Sequence, residues 1–196
     1  NTFNLDFTKC IIKCLEIGIN TKINFCVDEV LHNVIMHKKQ LFEAKYLNKM
    51  GHYKQCLHSD YIIKIYNKTK QYRAFNFVVD DNILRFEIKY RKMRKINDLG
   101  IYTLNDFLNF DFKVFKDLLL SEFDAVFIYD FTLQFHHKKE FKNKYSNLNF
   151  WRELINEPKP NKYKHHLNFY TRELKKYPVT LKEQLKHLIN NEIDIC

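Results

Sequence analysis

Three stretches of the chain alternate apolar and polar positions. In the segment 82–90, Leu84, Phe86, Ile88 and Tyr90 fall on one side and Arg85, Glu87 and Lys89 on the other. In 61–68, Tyr61, Ile63 and Ile65 oppose Ile62, Lys64, Tyr66 and Lys68. In 13–21, Leu15, Ile17 and Ile19 oppose Cys14, Glu16, Gly18 and Asn20. Side chains alternate along a strand, so each stretch predicts a strand that buries one face and presents charge and phenol groups on the other.

Elsewhere the period changes. Val27, Val30, Leu31, Val34 and Ile35 fall at helical spacing, with Asp28 and Glu29 in the first turn where the helix dipole favours anions. A helix over 26–37 is therefore expected, covering the apolar face of the sheet. The polar stretch 38–59 predicts a loop or short hairpin, and 69–73 a polar turn. Thr103 with Asp106 has the form of a capping box opening a short helix. The stretch 111–129 reads as a helix with Val114, Phe115, Leu118, Leu119, Phe123 and Val126 on one stripe. Beyond it, helices are expected over 147–156 and 161–176, and after the capping box Thr180/Glu183, with Pro158, Pro160 and Pro178 as breaks. The expected class is α+β: a sheet domain over 1–130, then a basic helical extension over 131–196.

Composition sharpens this picture. Hydrophobic residues make up 45% and aromatic residues 16%, a folding composition, and the few glycines and prolines argue against long linkers. The net charge of +10 points to a polyanionic partner, nucleic acid first. Between His136 and His187, thirteen lysines and arginines stand against five glutamates, so most of the excess lies there. The cysteines, Cys10, Cys14, Cys26, Cys56 and Cys196, are odd in number and irregularly spaced. They are expected to be reduced thiols of a cytoplasmic protein, with Cys14 and Cys26 as small core residues. No run of 18 apolar residues exists, so no membrane span or membrane partner is expected. The chain starts at Asn1 in what reads as mid-pattern, which raises the expectation of a truncated N-terminus.

The ordered set Leu15-Glu16-Ile-Gly-Ile-Asn20, Tyr61-Ile-Ile-Lys-Ile-Tyr-Asn-Lys68, Ile83-Leu-Arg-Phe-Glu-Ile-Lys89 and Leu99-Gly-Ile-Tyr-Thr-Leu-Asn-Asp-Phe-Leu108 resembles phage and plasmid replication-initiation proteins of the filamentous-phage gene II/X type. The version it is most similar to is common in Bacteroidetes genomes. The resemblance spans roughly Cys14 to Tyr129, and more faintly Trp151 to Leu188, and no one motif is specific by itself. It implies an antiparallel sheet with helices on one face and the working site on the other. It implies rolling-circle replication: a tyrosine nicks origin DNA, holds the 5′ phosphate and leaves a 3′-OH, with a divalent metal at the scissile phosphate. Host replication proteins would be further partners.

The residues allow that chemistry and also plainer roles. Tyr66 is placed to act as nucleophile, with Lys64 and Lys68 two residues to either side to stabilise its phenolate and hold phosphate, and Tyr72 in reserve; a tyrosine on a mixed strand face also serves packing. Glu16 and Glu87 would share Mg²⁺ or Mn²⁺ if their strands are neighbours, while Glu87 between Arg85 and Lys89 also suits a cross-strand ion pair. Lys64, Lys68, Arg85, Lys89 and Arg91 would take phosphates. Trp151, Tyr163 and Tyr170 are available for stacking on bases, with core packing the better reading of Trp151. The doublets His136-His137 and His165-His166 read as surface, and His32 and His37 are poorly spaced on one helix to share an ion; His52 and His58 lie nearer the working strand. The rivals to a nicking enzyme are a non-catalytic origin-binding module and a structural protein whose charge has no partner.

Overall fold

The computed structural model describes residues 6–47, 51–134 and 138–195. The order of elements is β1 (Leu15–Lys22), α1 (Val27–Asn33), β2 (Val34–His37), β3 (Gln40–Leu41), β4 (Glu43–Leu47), β5 (Gly51–Leu57), β6 (Tyr61–Asn67), α2 (Lys68–Ala74), β7 (Ile83–Tyr90), α3 (Arg94–Asn97), α4 (Leu104–Leu108), α5 (Lys113–Asp124), β8 (Val126–Ile128), α6 (Lys138–Tyr145), α7 (Leu148–Asn156), α8 (Pro160–Leu174) and α9 (Leu181–Ile195). This is an α+β protein. Its main sheet is antiparallel with strand order β1-β7-β6-β5-β4, and a small sheet runs β3-β2-β8. Among the described residues no helix is long and apolar enough to cross a membrane.

The alternation predicted for β1, β6 and β7 is the alternation observed. Ile19, Ile63, Ile65, Leu84, Phe86 and Ile88 are buried on one face. Phe123 of α5 meets Phe86 edge to face at 5.3 Å, and α9 packs on β1 and α5. In register, Gly18 and Lys64 flank Glu87, while Asn20 and Tyr66 flank Arg85. The opposite face of the sheet is therefore a continuous polar surface.

Two predicted helices are shorter than expected because each runs into a strand. α1 ends at Asn33, and Val34, Ile35 and Met36 continue as β2, buried on both sides. A strand covered on both faces reads as an unbroken apolar run, which helical spacing mimics. The expected helix over 111–129 breaks at Ala125 for the same reason, and Val126–Ile128 pairs with β2. Of the two forms expected for 38–59, the hairpin is the one present: β4 and β5 pair antiparallel, with β3 before them, while the predicted turn at 69–73 lies inside α2. There the Asn67 side chain accepts from the Lys70 N–H at 3.1 Å and so caps the helix.

A second core holds Trp151, Phe141, Tyr145, Tyr163 and Tyr170 against Ile35 and Met36. Trp151 Nε1 donates to the Tyr145 carbonyl at 2.9 Å, and the Asp130 N–H donates to the Tyr170 hydroxyl at 2.7 Å. Trp151 is core, as expected; Tyr163 and Tyr170 are core too, so neither is available to stack on a base. The division expected at residue 130 does not separate the cores. Leu181, Leu185 and Ile189 of α9 belong to the sheet core, whereas Ile35 and Met36 belong to the other. Both capping boxes form: Asp106 and Thr103 exchange bonds at α4, and Glu183 and Thr180 at α9. Cys14 and Cys26 are exposed, contrary to the core role expected of them, and Cys56 is the buried thiol among the described cysteines.

Candidate functional site

The polar face of the sheet converges on Glu87. Its side chain is 2% exposed, although it lies on the face away from the sheet core. Lys64 Nζ donates to Glu87 Oε1 at 2.7 Å, Arg85 Nε to Oε2 at 2.9 Å, and the Tyr66 hydroxyl to Oε2 at 3.1 Å. Gly18, opposite Glu87 on β1, makes room for this group. A Cβ there would stand 3.0 Å from the Phe86 carbonyl oxygen and 3.1 Å from Arg85 Nη2.

The network extends outward. Lys64 also reaches Glu16 Oε2 at 3.5 Å, and Lys89 lies 3.7 Å from the same oxygen. Arg85 Nη1 donates to Asn20 Oδ1 at 3.1 Å, and Asn20 Nδ2 to the Tyr72 hydroxyl at 3.4 Å. Lys68 Nζ stands 4.9 Å from the Tyr72 ring centroid and 5.9 Å from that of Tyr66.

Charge states follow from this geometry. Burial alone would raise the Glu87 carboxyl, but Lys64 and Arg85 outweigh it and hold it below its ordinary value. Burial works against the Lys64 charge, and the Glu87 carboxylate more than offsets it, holding the ammonium above its ordinary value. Burial and then the Glu87 charge push the Tyr66 phenol well up. Lys68 is lowered, first by burial and then by Arg85.

Eight of the sequence-predicted residues therefore share one connected patch: Tyr66, Tyr72, Glu16, Glu87, Lys64, Lys68, Arg85 and Lys89. Three expectations about the candidate residues need correction. Lys68 and Tyr72 reach the patch from α2, not from a strand or turn. Lys64 is hydrogen-bonded to the two carboxylates and not to Tyr66, so it does not stabilise a Tyr66 phenolate here. Arg91 lies outside the patch, where its Nη2 donates to the His58 carbonyl at 2.8 Å and braces the β5–β6 turn.

The same geometry bears on Mg²⁺ or Mn²⁺ at Glu16 and Glu87. Hard divalent ions need free carboxylate oxygens and room for bound water. The Lys64 ammonium sits between the two carboxylates, and Glu87 already accepts from three donors. As arranged, these residues do not fit a divalent ion.

A second polar cluster lies on the buried side, where β2, β5 and α5 meet. His37 Nδ1 and His58 Nε2 are 2.8 Å apart, and Cys56 Sγ is 3.5 Å from His58 Nε2. His37 Nε2 lies 3.0 Å from Glu122 Oε2, close but poorly aligned for a hydrogen bond. Glu122 also accepts from Lys38 at 2.7 Å and Lys95 at 2.8 Å. Burial opposes its charge, yet His37, Lys38 and Lys95 outweigh burial and hold it far below the usual carboxylate range. Burial pushes the Cys56 thiol up to about 12 and His58 down to about 4.

Sequence reasoning did not bring this cluster together, although signals existed. Cys56 and His58 are two apart at a strand end, and Glu122 falls on the buried stripe of α5 with Phe115, Leu119 and Phe123. The partner that no spacing predicts is His37, because Val34 and Ile35 continue the helical spacing of α1 up to it. Of the other histidines, His165 is exposed, whereas His166 is half-buried and 3.0 Å from the Tyr145 hydroxyl. His136 and His137 lie outside the described residues.

In comparison with known proteins, no family model, no curated protein and no solved structure matches the chain.

Proposed function

We propose that the polar face of the main sheet binds a nucleic-acid strand and that the protein is a replication initiator that nicks and rejoins DNA through Tyr66. The observation that carries this reading is the Tyr66 hydroxyl on the Glu87 carboxylate, between Lys64 and Arg85, on the open face of an antiparallel sheet. In the free protein Tyr66 is held protonated and Glu87 is a weak base. A bound phosphodiester offers Lys64 and Arg85 better-placed anionic oxygens. As they turn to it, Glu87 loses the cations that hold it ionised, gains proton affinity and takes the Tyr66 proton. The phenolate oxygen bonds to phosphorus as the bond from phosphorus to the 3′ oxygen breaks. The departing 3′ oxygen takes a proton from the Lys64 ammonium, which regains one from Glu87. The strand ends as a tyrosyl 5′-phosphate and a free 3′-OH.

A second reading is favoured by one specific observation. Glu87 is already saturated by its three donors, which is also how a purely structural ion-pair node is built. On that reading the face binds a strand without cutting it.

The test is incubation with single-stranded oligonucleotides and with supercoiled plasmid carrying the DNA that adjoins the coding sequence, followed by denaturing electrophoresis. A covalent protein–DNA band and nicked plasmid, both absent for Tyr66→Phe, support the first reading. A band that persists in Tyr66→Phe and disappears in Tyr72→Phe moves the nucleophile to Tyr72. Salt-sensitive binding without any band leaves the second reading, and absence of binding refutes both.

A further inference from the structure

The cluster on the buried side is independent of the strand-binding face and has the composition of a transition-metal site. Cys56 ends its side chain at a sulfur, and His37 and His58 present ring nitrogens to the same point. The three ligand atoms all lie within 4.8 Å of one another. A tetrahedral zinc site, with Zn–N near 2.0–2.1 Å and Zn–S near 2.3 Å, separates two nitrogens by about 3.3 Å and sulfur from nitrogen by about 3.6 Å. Here His58 Nε2 stands 3.5 Å from the sulfur and 2.8 Å from His37 Nδ1, while the sulfur and His37 Nδ1 lie within 4.8 Å of each other. A small outward turn of one imidazole, replacing the hydrogen bond between the rings, opens the position an ion needs.

The surroundings supply a second, separate indication. A metal-bound histidine commonly turns its other nitrogen to a carboxylate, which fixes its tautomer and strengthens it as a ligand. His37 directs Nδ1 at the cluster, and its Nε2 lies 3.0 Å from Glu122 Oε2, where a small turn of the ring brings the two into line. Glu122 is itself fixed by Lys38 and Lys95, whose side chains are nearly half exposed and keep their charge near solvent. The Tyr61 ring stacks on His58 at 4.6 Å and holds that ring in place.

We propose that His37, Cys56 and His58 bind one Zn²⁺ through Nδ1, Sγ and Nε2, with water as the fourth ligand and Glu122 positioning His37. Thiolate and imidazole ligands select zinc over the hard ions Mg²⁺ and Mn²⁺. Binding sends the Cys56 thiol proton to solvent. The ion ties the end of β2 in the small sheet to the end of β5 in the main sheet.

The experiment is zinc titration against a chromophoric chelator, with Co²⁺ spectra in parallel. It uses the full chain carrying Cys10→Ser, Cys14→Ser, Cys26→Ser and Cys196→Ser, so that other thiols do not contribute. The expected result is one zinc per chain at submicromolar affinity, a thiolate-to-cobalt charge-transfer band and a higher melting temperature with zinc. Cys56→Ala and His58→Gln each abolish all three, and Glu122→Gln weakens affinity about 10-fold. Because His58 is only half-buried, His58→Gln gives a folded control, checked by circular dichroism without metal. The proposal is overturned by the absence of submicromolar binding. It is equally overturned if binding survives both Cys56→Ala and His58→Gln, or if binding is lost in Glu87→Gln, which would put the ion on the polar face.

Discussion

Replacing Glu87 by glutamine tests whether the polar face is organised around a buried charge. The side chain keeps its length, and one oxygen can still accept from Tyr66 and Arg85. Its amide, however, meets Lys64 Nζ, where the carboxylate accepted at 2.7 Å, with two donors facing each other. Lys64 keeps only the longer 3.5 Å contact with Glu16, Arg85 only that amide oxygen and its bond to Asn20, and at 23% and 22% exposure both cations are only partly hydrated. Removing one partner of a buried ion pair costs about 3–5 kcal/mol, and this partial exposure places the expected loss near the lower end, about 3 kcal/mol. With a urea m-value of about 3 kcal/mol/M for a chain of this size, the midpoint falls by about 1 M. Adding Lys64→Met removes the stranded ammonium and recovers at least about 1 kcal/mol in a double-mutant cycle. The pH dependence has a definite sign. Glu87 is held below its ordinary value in the folded state, so its contribution is present above the unfolded carboxyl value, about 4.3, and is lost as pH falls through the folded one. The gap between wild type and Glu87→Gln therefore narrows as urea melts are moved from about pH 7 toward pH 3. A midpoint within about 0.3 M of wild type at neutral pH, or a gap that does not change with pH, refutes the reasoning.

Three further outcomes are expected. If Lys64, Lys68, Arg85 and Lys89 all contact phosphates of a single strand, the slope of log K against log salt is about −3, and Lys68→Ala reduces its size by about 0.7, measured by fluorescence anisotropy. Cys10, Cys14 and Cys26 react promptly with a chromogenic disulfide, whereas Cys56, buried with its thiol pushed up to about 12, reacts only on unfolding; prompt reaction of Cys56→Ala and wild type to the same extent is the expected count. Lys38 and Lys39 both hold positive φ, 47° and 65°, in the two-residue β2–β3 hairpin, so Lys39→Gly relieves strain and raises stability by about 0.5–1 kcal/mol in urea melts.

The polar face was legible because it depends on strict alternation in β1, β6 and β7, and alternation survives any register that keeps the apolar faces together. Glu16, Lys64, Tyr66, Arg85, Glu87 and Lys89 could be assigned to it from the sequence for that reason. Their pairing could not: whether Lys64 approaches Tyr66 or Glu87 depends on which strands are neighbours, and β6 and β7 place Lys64 directly opposite Glu87. The residues 34–37 and 126–128 were not legible as strands because they are covered on both sides and carry no period. That misreading also concealed the second cluster, since His37 joins Cys56 and His58 only when it ends a strand.

The order in which the main sheet is joined has a consequence for how the chain acquires its fold. Strands β4, β5 and β6 follow one another and pair as neighbours, so they can assemble by closing short loops. β1 is different: its partner β7 lies some distance along the chain, at Ile83–Tyr90, and its buried face is covered by α9, which begins at Leu181. β1 is thus completed by α9, at a larger loop-closure entropy than the hairpins. On a ribosome the hairpins form early, while Ile19 and its neighbours wait for α9. Synthesis that stops before α9 leaves an uncovered apolar strip along β1, a species prone to aggregate during translation.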